Sequence, residues 1–531
     1  MNKILIGTLL LAALPAWADD SSEALQQARN QFWELQQHTQ QRWLSQHQHQ
    51  TTNQQAISED LSQVCLDYQR VRFVGVTLID PTSFTPQAGE CLNEQRLNQL
   101  SRDLTAAYLA AGYVHNPLQF EDDHSGALTV HVFEGRIAKL ESPDNGFRIN
   151  QLMPNALGQP LRIQDLDQAL DQANRIVGNK VSVDVLPAKN GEIALAFDNQ
   201  RSTPISASLA LDNFASKTYD RFQSKANIVL GNPFGLSDVL YLNLATTLKS
   251  RHKFSRSALL YYSLPYGYWT FNSFISLSQF KTQLPLQSLS LQQKGRTVQA
   301  GLSIERVIHR GENHISTASL QVERIDGKNR LAGEVLELQS PKLTSVSLGL
   351  NHLQLFNGAS LVADLRYERS KDTATEPLQR YFSRWNGELK FEHYQAIGKQ
   401  LFHHTHQLTG QYSRDYLPSV KQEDLTSRYR VRGLNDYSTS AEKNLVLHNN
   451  LAWVKEINGL TISPYLGFDV GIQRSTVADS HSEKALAYAV GFNLQQSHWQ
   501  LNLEWANGRL FTPTQGVKQQ RLWLFNLSYK F

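Results

Sequence analysis

From about residue 203 onward, apolar residues alternate with polar or small ones in segments of roughly ten. The clearest are Ile205-Ala207-Leu209-Leu211, Leu240-Leu242-Leu244, Leu486-Tyr488-Val490-Phe492-Leu494 and Trp499-Leu501-Leu503-Trp505. Ser206, Ser208, Asn243, Asn493, Asn502 and Glu504 fall between those apolar positions. A period of two predicts β-strands with one greasy and one polar face. The aromatics Tyr261, Tyr262, Trp269, Phe271, Trp499, Trp505, Trp523 and Tyr529 gather near segment ends. That is the girdle pattern of a barrel whose outside meets lipid. Counting back by twos from the C-terminus, Phe531, Tyr529, Leu527, Phe525 and Trp523 share one face; Lys530, Ser528, Asn526, Leu524 and Leu522 share the other. About 330 residues at roughly 20 per strand and connection predict an antiparallel transmembrane β-barrel of about 16 strands, because such barrels take even numbers.

Upstream the period changes. Residues 61–135 predict a small α+β module with a strand over Arg70 to Ile79 and two helices. The second helix runs from Asn93 to Ala111, with Leu97, Leu100, Leu104, Tyr108 and Ala111 on one face. Gly112 ends it where left-handed geometry is wanted, and Leu128 to Phe133 alternates as a strand. Residues 136–202 repeat the theme. A strand starts at Ile137, a helix spans about Ile163 to Ile176 with Leu166, Leu170 and Ala173 inward, and strands follow over Lys180 to Leu186 and Glu192 to Phe197.

Ahead of the modules, residues 49–60 are a polar linker and 19–48 a Gln-rich segment. Within it, residues 22–48 lack Gly and Pro, and Leu25, Ala28, Phe32 and Leu35 recur at helical spacing. The predicted helix is about 40 Å long. Its narrow apolar stripe and amide-rich remaining faces suit a polar lumen as readily as a protein surface. Residues 1–18 read as an export signal: Lys3, an apolar run from Ile4 to Leu14, then Ala16-Trp17-Ala18. That run is too short to cross a bilayer about 30 Å thick as a helix.

Composition narrows the chemistry. Fifty-one basic against 48 acidic residues leave no electrostatic footprint for nucleic acid. The mean hydropathy of -0.40 fits a barrel as well as a soluble protein, since only alternate residues meet lipid. Cys65 and Cys91 are the two cysteines, and in an exported chain one disulfide between them is the expectation. No metal is expected: no ligand spacing surrounds those cysteines, and of His403, His404 and His406 only two share a strand face. No Gly-x-Ser-x-Gly, His-Glu-x-x-His or P-loop pattern occurs. Neither an enzymatic constellation nor a cofactor is expected.

Three groups of residues resemble the transporters of two-partner secretion, the TpsB or hemolysin secretion/activation family. Cys91-Leu92 through Gly112-Tyr113-Val114 to Phe133-Glu134-Gly135, with Cys65, is similar to that family's first POTRA domain. The barrel entry is similar too: Leu211-Asp212-Asn213, the run Gly231 to Asp238, and Tyr262 to Gly267. So are the tetrad Val431-Arg432-Gly433-Leu434 and the later Gly467-Phe468-Asp469. The likeness covers nearly all of the chain past residue 18. One departure is Leu434, where the family usually has an aromatic; looser packing of that tip is expected.

The resemblance implies POTRA 1 over 61–135, POTRA 2 over 136–202 and a barrel over 203–531, in the outer membrane with the modules in the periplasm. It implies that the loop around Arg432, read from the polar stretch Ser427 to Ser440, folds into the barrel. There Arg432 pairs with Asp469 on the inner wall, while Phe468 and Val470 face lipid. The helix at 22–48, through Leu25, Phe32 and Leu35, would plug the lumen, and Phe531 would be the signal read by barrel-assembly machinery. The implied partner is an unfolded secreted exoprotein, bound by the POTRA domains and passed through a monomeric barrel. An alternative within the same architecture is a factor that inserts other barrels.

Overall fold

The computed structural model describes residues 65–531, except 67, 69, 88–89, 123–125, 143–145, 249–251, 287–288, 376, 378, 478–479 and 514 and the side chains of 190, 285, 286 and 289. The export signal, the plug helix with Leu25, Phe32 and Leu35, and the linker lie outside the described residues.

In the first module the sheet holds β1 (Arg70–Val74), β2 (Leu118–Asp122) and β3 (Ala127–Val132), in the order β1-β3-β2. Helix α1 (Glu94–Ala110) covers it through Leu100, Leu104 and Tyr108. Asn93 caps the helix, its side-chain oxygen accepting from the Arg96 amide at 2.8 Å. At the far end Gly112 takes φ +89°, which a side chain would resist. The first strand is shorter than the pattern suggested, stopping at Val74. Gly75 turns there at φ +82°, and a Cβ on it would meet the Val132 carbonyl oxygen at 2.3 Å. The first of the two expected helices is only a single 3-10 turn, Pro81–Phe84. Cys65 and Cys91 are disulfide-bonded, joining the start of the module to the approach to α1.

The second module orders its strands β4-β6-β5, from β4 (Ile137–Glu141), β5 (Val181–Pro187) and β6 (Ile193–Asn199). Helix α2 (Ile163–Asn174) buries Leu166, Ala169 and Ala173 against them. Its core runs on into Val239 at the start of a barrel strand, so module and barrel pack as one body.

Sixteen long strands close a cylinder in chain order, every neighbouring pair antiparallel. The first eight are β7 (Ile205–Asp212), β8 (Gln223–Gly231), β9 (Val239–Thr247), β10 (Phe254–Tyr266), β11 (Trp269–Leu286), β12 (Leu289–Arg310), β13 (His314–Leu331) and β14 (Lys342–Phe356). Then come β15 (Ala359–Asp372), β16 (Tyr381–Ile397), β17 (Gln400–Tyr412), β18 (Lys443–Ile457), β19 (Leu460–Arg474), β20 (Glu483–Gln496), β21 (Trp499–Thr512) and β22 (Gly516–Lys530). The last strand pairs with the first from Asn526 opposite Asp212 to Lys530 opposite Ser208. Phe531 extends that seam, its amide donating to the Ala207 carbonyl at 2.9 Å while its ring stays exposed.

Alternation sorts the walls. Leu348, Leu350, Leu466, Phe468 and Trp523 point outward and are exposed, while Gln299, Glu323, Ser345, Asp469 and Glu504 point inward and are buried. Of the aromatics assigned to the girdle, Tyr261 belongs inside. It is 7% exposed and its ring stands edge-on to Tyr241, 5.7 Å between centroids. Two adjacent strand residues cannot share a face, and Tyr262 takes the outer one.

Candidate functional site

Residues 413–442 join β17 to β18 at the end of the barrel away from the modules, a longer connection than the polar stretch suggested. A two-residue ladder, Glu423–Asp424 against Ser440–Ala441, folds it into a hairpin directed into the lumen. The reason lies in its composition. Leu417, Val420, Leu425, Val431 and Leu434 are all buried; between them Lys421, Arg428 and Arg432 carry charge to inward carboxylates of the wall, and Arg430 pairs with Glu423 of the loop itself.

At the tip Arg432 is 1% exposed and Asp469, from β19, is fully buried. The guanidinium grips the carboxylate two-handed, Nε to Oδ2 at 2.7 Å and Nη2 to Oδ1 at 2.8 Å. The Arg432 backbone N–H adds a third bond to Oδ2 at 3.1 Å. Nη1 reaches Glu504 Oε2 of β21 at 3.1 Å and Asn450 Oδ1 of β18 at 2.9 Å. Glu504 also takes Arg428 and the Tyr465 hydroxyl, the latter at 2.8 Å. Two guanidinium groups therefore face two carboxylates, and the cluster balances its charge. His448 lies alongside with Nδ1 3.0 Å from both Asp469 Oδ1 and the Arg430 carbonyl. Nε2 faces two donors, Arg432 Nη2 at 3.1 Å and Asn450 Nδ2 at 3.3 Å, while Nδ1 has these two acceptors, which places the proton on Nδ1.

Small residues make the seat. Gly467 and Gly471 on β19 and Gly508 on β21 face the loop. A Cβ on Gly467 would meet Arg432 Nη1 at 2.4 Å, on Gly471 the Leu425 Cδ1 at 2.7 Å, and on Gly508 the Leu434 Cγ at 2.5 Å. Gly433 turns the tip at φ +77° with Gly508 N only 3.1 Å from where a Cβ would sit. The looser packing expected at Leu434 is not what the structure has. Leu434 is fully buried with Leu425, Val431, Val446, Ala485, Ala487 and Leu510, and Tyr437 leans on the same cluster. Beyond the tip, Asn435 Nδ2 donates to the Phe214 carbonyl at 2.8 Å, and Asp436 pairs with Arg221, holding the loop between β7 and β8.

The structure thus brings Val431, Arg432, Gly433, Leu434 and Asp469 into one lumenal cluster, and places Cys65–Cys91 and Phe531 elsewhere. Sequence reasoning gave no role to Glu504, Arg428, His448, Gly471 or Gly508. One signal was available for Glu504: it is a carboxylate on the inward face of a strand whose other face is Leu501, Leu503 and Trp505.

At the opposite end the second module is fastened to the rim. Gln151 Nε2 donates to the Leu236 and Pro265 carbonyls, both at 2.7 Å, and its own carbonyl accepts the Gly267 amide at 3.0 Å. Ser237 Oγ accepts from the Arg148 amide at 2.8 Å, Tyr268 donates to Asp165 at 2.6 Å, and Arg310 pairs with Asp171. The turn Gly231 to Asp238 and the end of β10 with Gly267 are therefore docking elements. A Cβ on Gly231 would meet the Val177 carbonyl oxygen at 2.3 Å.

Comparison with known proteins gives concordant matches. The family profile of the haemolysin secretion/activation protein ShlB/FhaC/HecB matches residues 191–494. A ShlB-type POTRA profile matches 66–135, and a second POTRA profile matches 136–187. The hemolysin transporter protein HpmB of Proteus mirabilis is 33% identical over 88% of this chain and 87% of its own. The hemolysin transporter protein ShlB of Serratia marcescens is 31% identical over 88% and 86%. Among solved structures, CdiB from Escherichia coli superposes with a TM-score of 0.81 at 21% identity, covering 94% of this chain and 98% of that one.

Proposed function

We propose the following on the premise that this chain belongs to the haemolysin secretion/activation family ShlB/FhaC/HecB, and is thereby an outer-membrane two-partner secretion transporter with its POTRA domains in the periplasm. Its partner is an unfolded exoprotein of the haemolysin type, the class named for the two relatives above 30% identity. The exoprotein arrives as extended chain and adds a strand to an open POTRA edge. Two edges suit it: β2, with Phe120 exposed, and β5, with Val185 and Leu186 exposed. Main-chain hydrogen bonds supply affinity there with little demand on sequence. The segment then enters the barrel beneath the loop, which keeps its place because Arg432 stays paired with Asp469 and Glu504. No nucleotide motif occurs in the chain, so folding of the cargo outside supplies the direction. The helix at 22–48 seals the lumen until cargo docks.

The observation that carries this reading is the inward loop, fastened by Arg432 in a closed barrel whose other mouth holds a docked POTRA domain. A factor that inserts other barrels has the same outline, but the curated relatives are named as transporters. Replacing Arg432 with Ala in cells that co-express the exoprotein tests it. Removing one partner of a buried pair costs about 3–5 kcal/mol, so export is expected to be lost while the barrel still assembles and still shifts on heating in detergent gels. Unchanged export would overturn the loop's role, and a general loss of other barrels would favour the insertion factor.

A further inference from the structure

The loop is attached to the lumen at a second place, on another stretch of wall. Its first limb, residues 417–424, lies against β13 to β16. Leu417 and Val420 pack on Ile325, Leu343 and Phe382. Lys421, 2% exposed, pairs through Nζ with Glu323 of β13 and stands 2.6 Å from Glu368 Oε1 of β15. Arg384 of β16 completes the set, Nη2 donating to Glu368 Oε2 at 2.8 Å and Nη1 to the Lys421 carbonyl at 2.7 Å. The tip is held on β18, β19 and β21, several strands further round. A segment tied to both walls crosses the lumen as a bar and narrows any path through it.

The two attachments differ in what each would leave behind on letting go. If the tip withdraws, Arg432 and Arg428 leave together, and buried Asp469 and Glu504 keep no guanidinium, only His448 and the Tyr465 hydroxyl. If the first limb withdraws, the wall keeps one guanidinium for its two carboxylates. Glu368 keeps Arg384 and the Ser370 hydroxyl at 2.8 Å, and Glu323 keeps the Gln299 amide at 2.9 Å. The departing ammonium is a compact charge that water solvates readily, and the space beside it is lined in part by the polar groups of Ser276, Gln321, Ser347 and Asn386. The tip is therefore the costly attachment to break and Lys421 the cheap one.

We propose that Lys421 is a positioning residue that parks the first limb against Glu323 and Glu368, and that its release, with the Arg432 tether kept, swings the limb aside to open the path for cargo. This rests on the secretion reading, but its test need not. Lys421→Cys and Glu323→Cys together allow a short thiol-to-thiol reagent to join limb and wall in the assembled barrel, and Cys65 and Cys91 do not compete because they are bonded to each other. Joining is expected to suppress channel opening in planar bilayers, recorded with residues 22–48 deleted so that the plug does not mask the limb, and to lower export by the full chain about tenfold, with each single cysteine unaffected by the reagent. In the same deletion background Lys421→Met is expected to raise the frequency of open states severalfold without changing barrel assembly. Conductance needs no cargo, so failure of the unaltered chain to export would sink the secretion reading and leave the limb result standing. A pair that cannot be joined, or a joined pair that conducts and exports like the unjoined one, would overturn the proposal.

Discussion

Alanine at Gly467 puts a methyl group where the Arg432 guanidinium lies. The new carbon would be 2.4 Å from Nη1 and 2.7 Å from Cζ, against an ordinary contact of 3.4–4 Å. The guanidinium must then withdraw by about 1 Å, and it is hemmed on its other sides by Glu504, Asn450 and His448. Its bonds to Asp469, now 2.7 and 2.8 Å, cannot both survive that movement. Losing one charge-assisted bond costs about 1.5–3 kcal/mol, and overpacking adds about 1–3 kcal/mol. Taking roughly 3 kcal/mol in all, the docked loop loses about a hundredfold in population relative to undocked states. Gly387→Ala is the control. Its Cβ meets nothing closer than the Asp364 carbonyl oxygen at 3.8 Å, and it makes the same backbone change within a strand. Export of the co-expressed exoprotein, normalised to assembled barrel, should fall steeply for Gly467→Ala and stay level for Gly387→Ala. Equal export from the two would refute the claim that a tight seat for Arg432 governs transport.

Deleting residues 22–48 should raise single-channel conductance sharply in planar bilayers; an unchanged trace would remove the plug assignment. In POTRA 1, Glu134 accepts from the Thr77 amide at 2.6 Å, the Leu78 amide at 2.8 Å and the Tyr108 hydroxyl at 2.9 Å. Burial works to raise its carboxyl, but the bonds from Thr77, Leu78 and Tyr108 outweigh it and hold the group below the ordinary glutamate value. A depressed carboxyl stabilises the fold above its unfolded value of about 4.3 and ceases to do so as pH falls through the folded one. Hydrogen exchange across residues 75–80, corrected for intrinsic rates, should therefore accelerate on acidification in the parent chain, and Glu134→Gln should exchange fast already at neutral pH. Reducing Cys65–Cys91, which are 26 residues apart, should destabilise POTRA 1 by about 3–4 kcal/mol and leave the barrel's heat-shift unaltered.

Which parts could be read without coordinates follows from the range of each signal. Alternation is local, so Leu501, Leu503 and Trp505 declare a strand and its faces with no knowledge of its neighbours. The girdle assignment fails at Tyr261 because it rests on residue type, whereas parity with Tyr262 puts the two on opposite faces. Helix α1 announced itself through Leu100, Leu104, Tyr108 and the stop at Gly112, and α2 through Leu166 and Ala173. Contacts between distant segments carry no such signature. Arg432 and Asp469 are 37 positions apart, and it took a family resemblance, not spacing, to suggest them as a pair. Parity puts Glu504 on an inner face, but nothing comparable pointed to its pairing with Arg432 or to the partnership of Lys421 with Glu323, 98 positions apart. The seat made by Gly471 and Gly508 was hidden for another reason. A glycine in a strand looks the same whether it admits a neighbouring side chain or merely tolerates a bend.

The rim mounting of the second POTRA domain also bears on how cargo finds its way in. Gln151, Arg148 and Asp165 pin that domain to the turns at 236–237 and 265–268, so a polypeptide seated on β5 has no periplasm left to search. Its slack confines it to a small volume beside the mouth, where its local concentration is on the order of millimolar. A grip too feeble to retain free exoprotein is then enough to keep feeding the channel, and feeble enough to surrender each stretch as the next arrives.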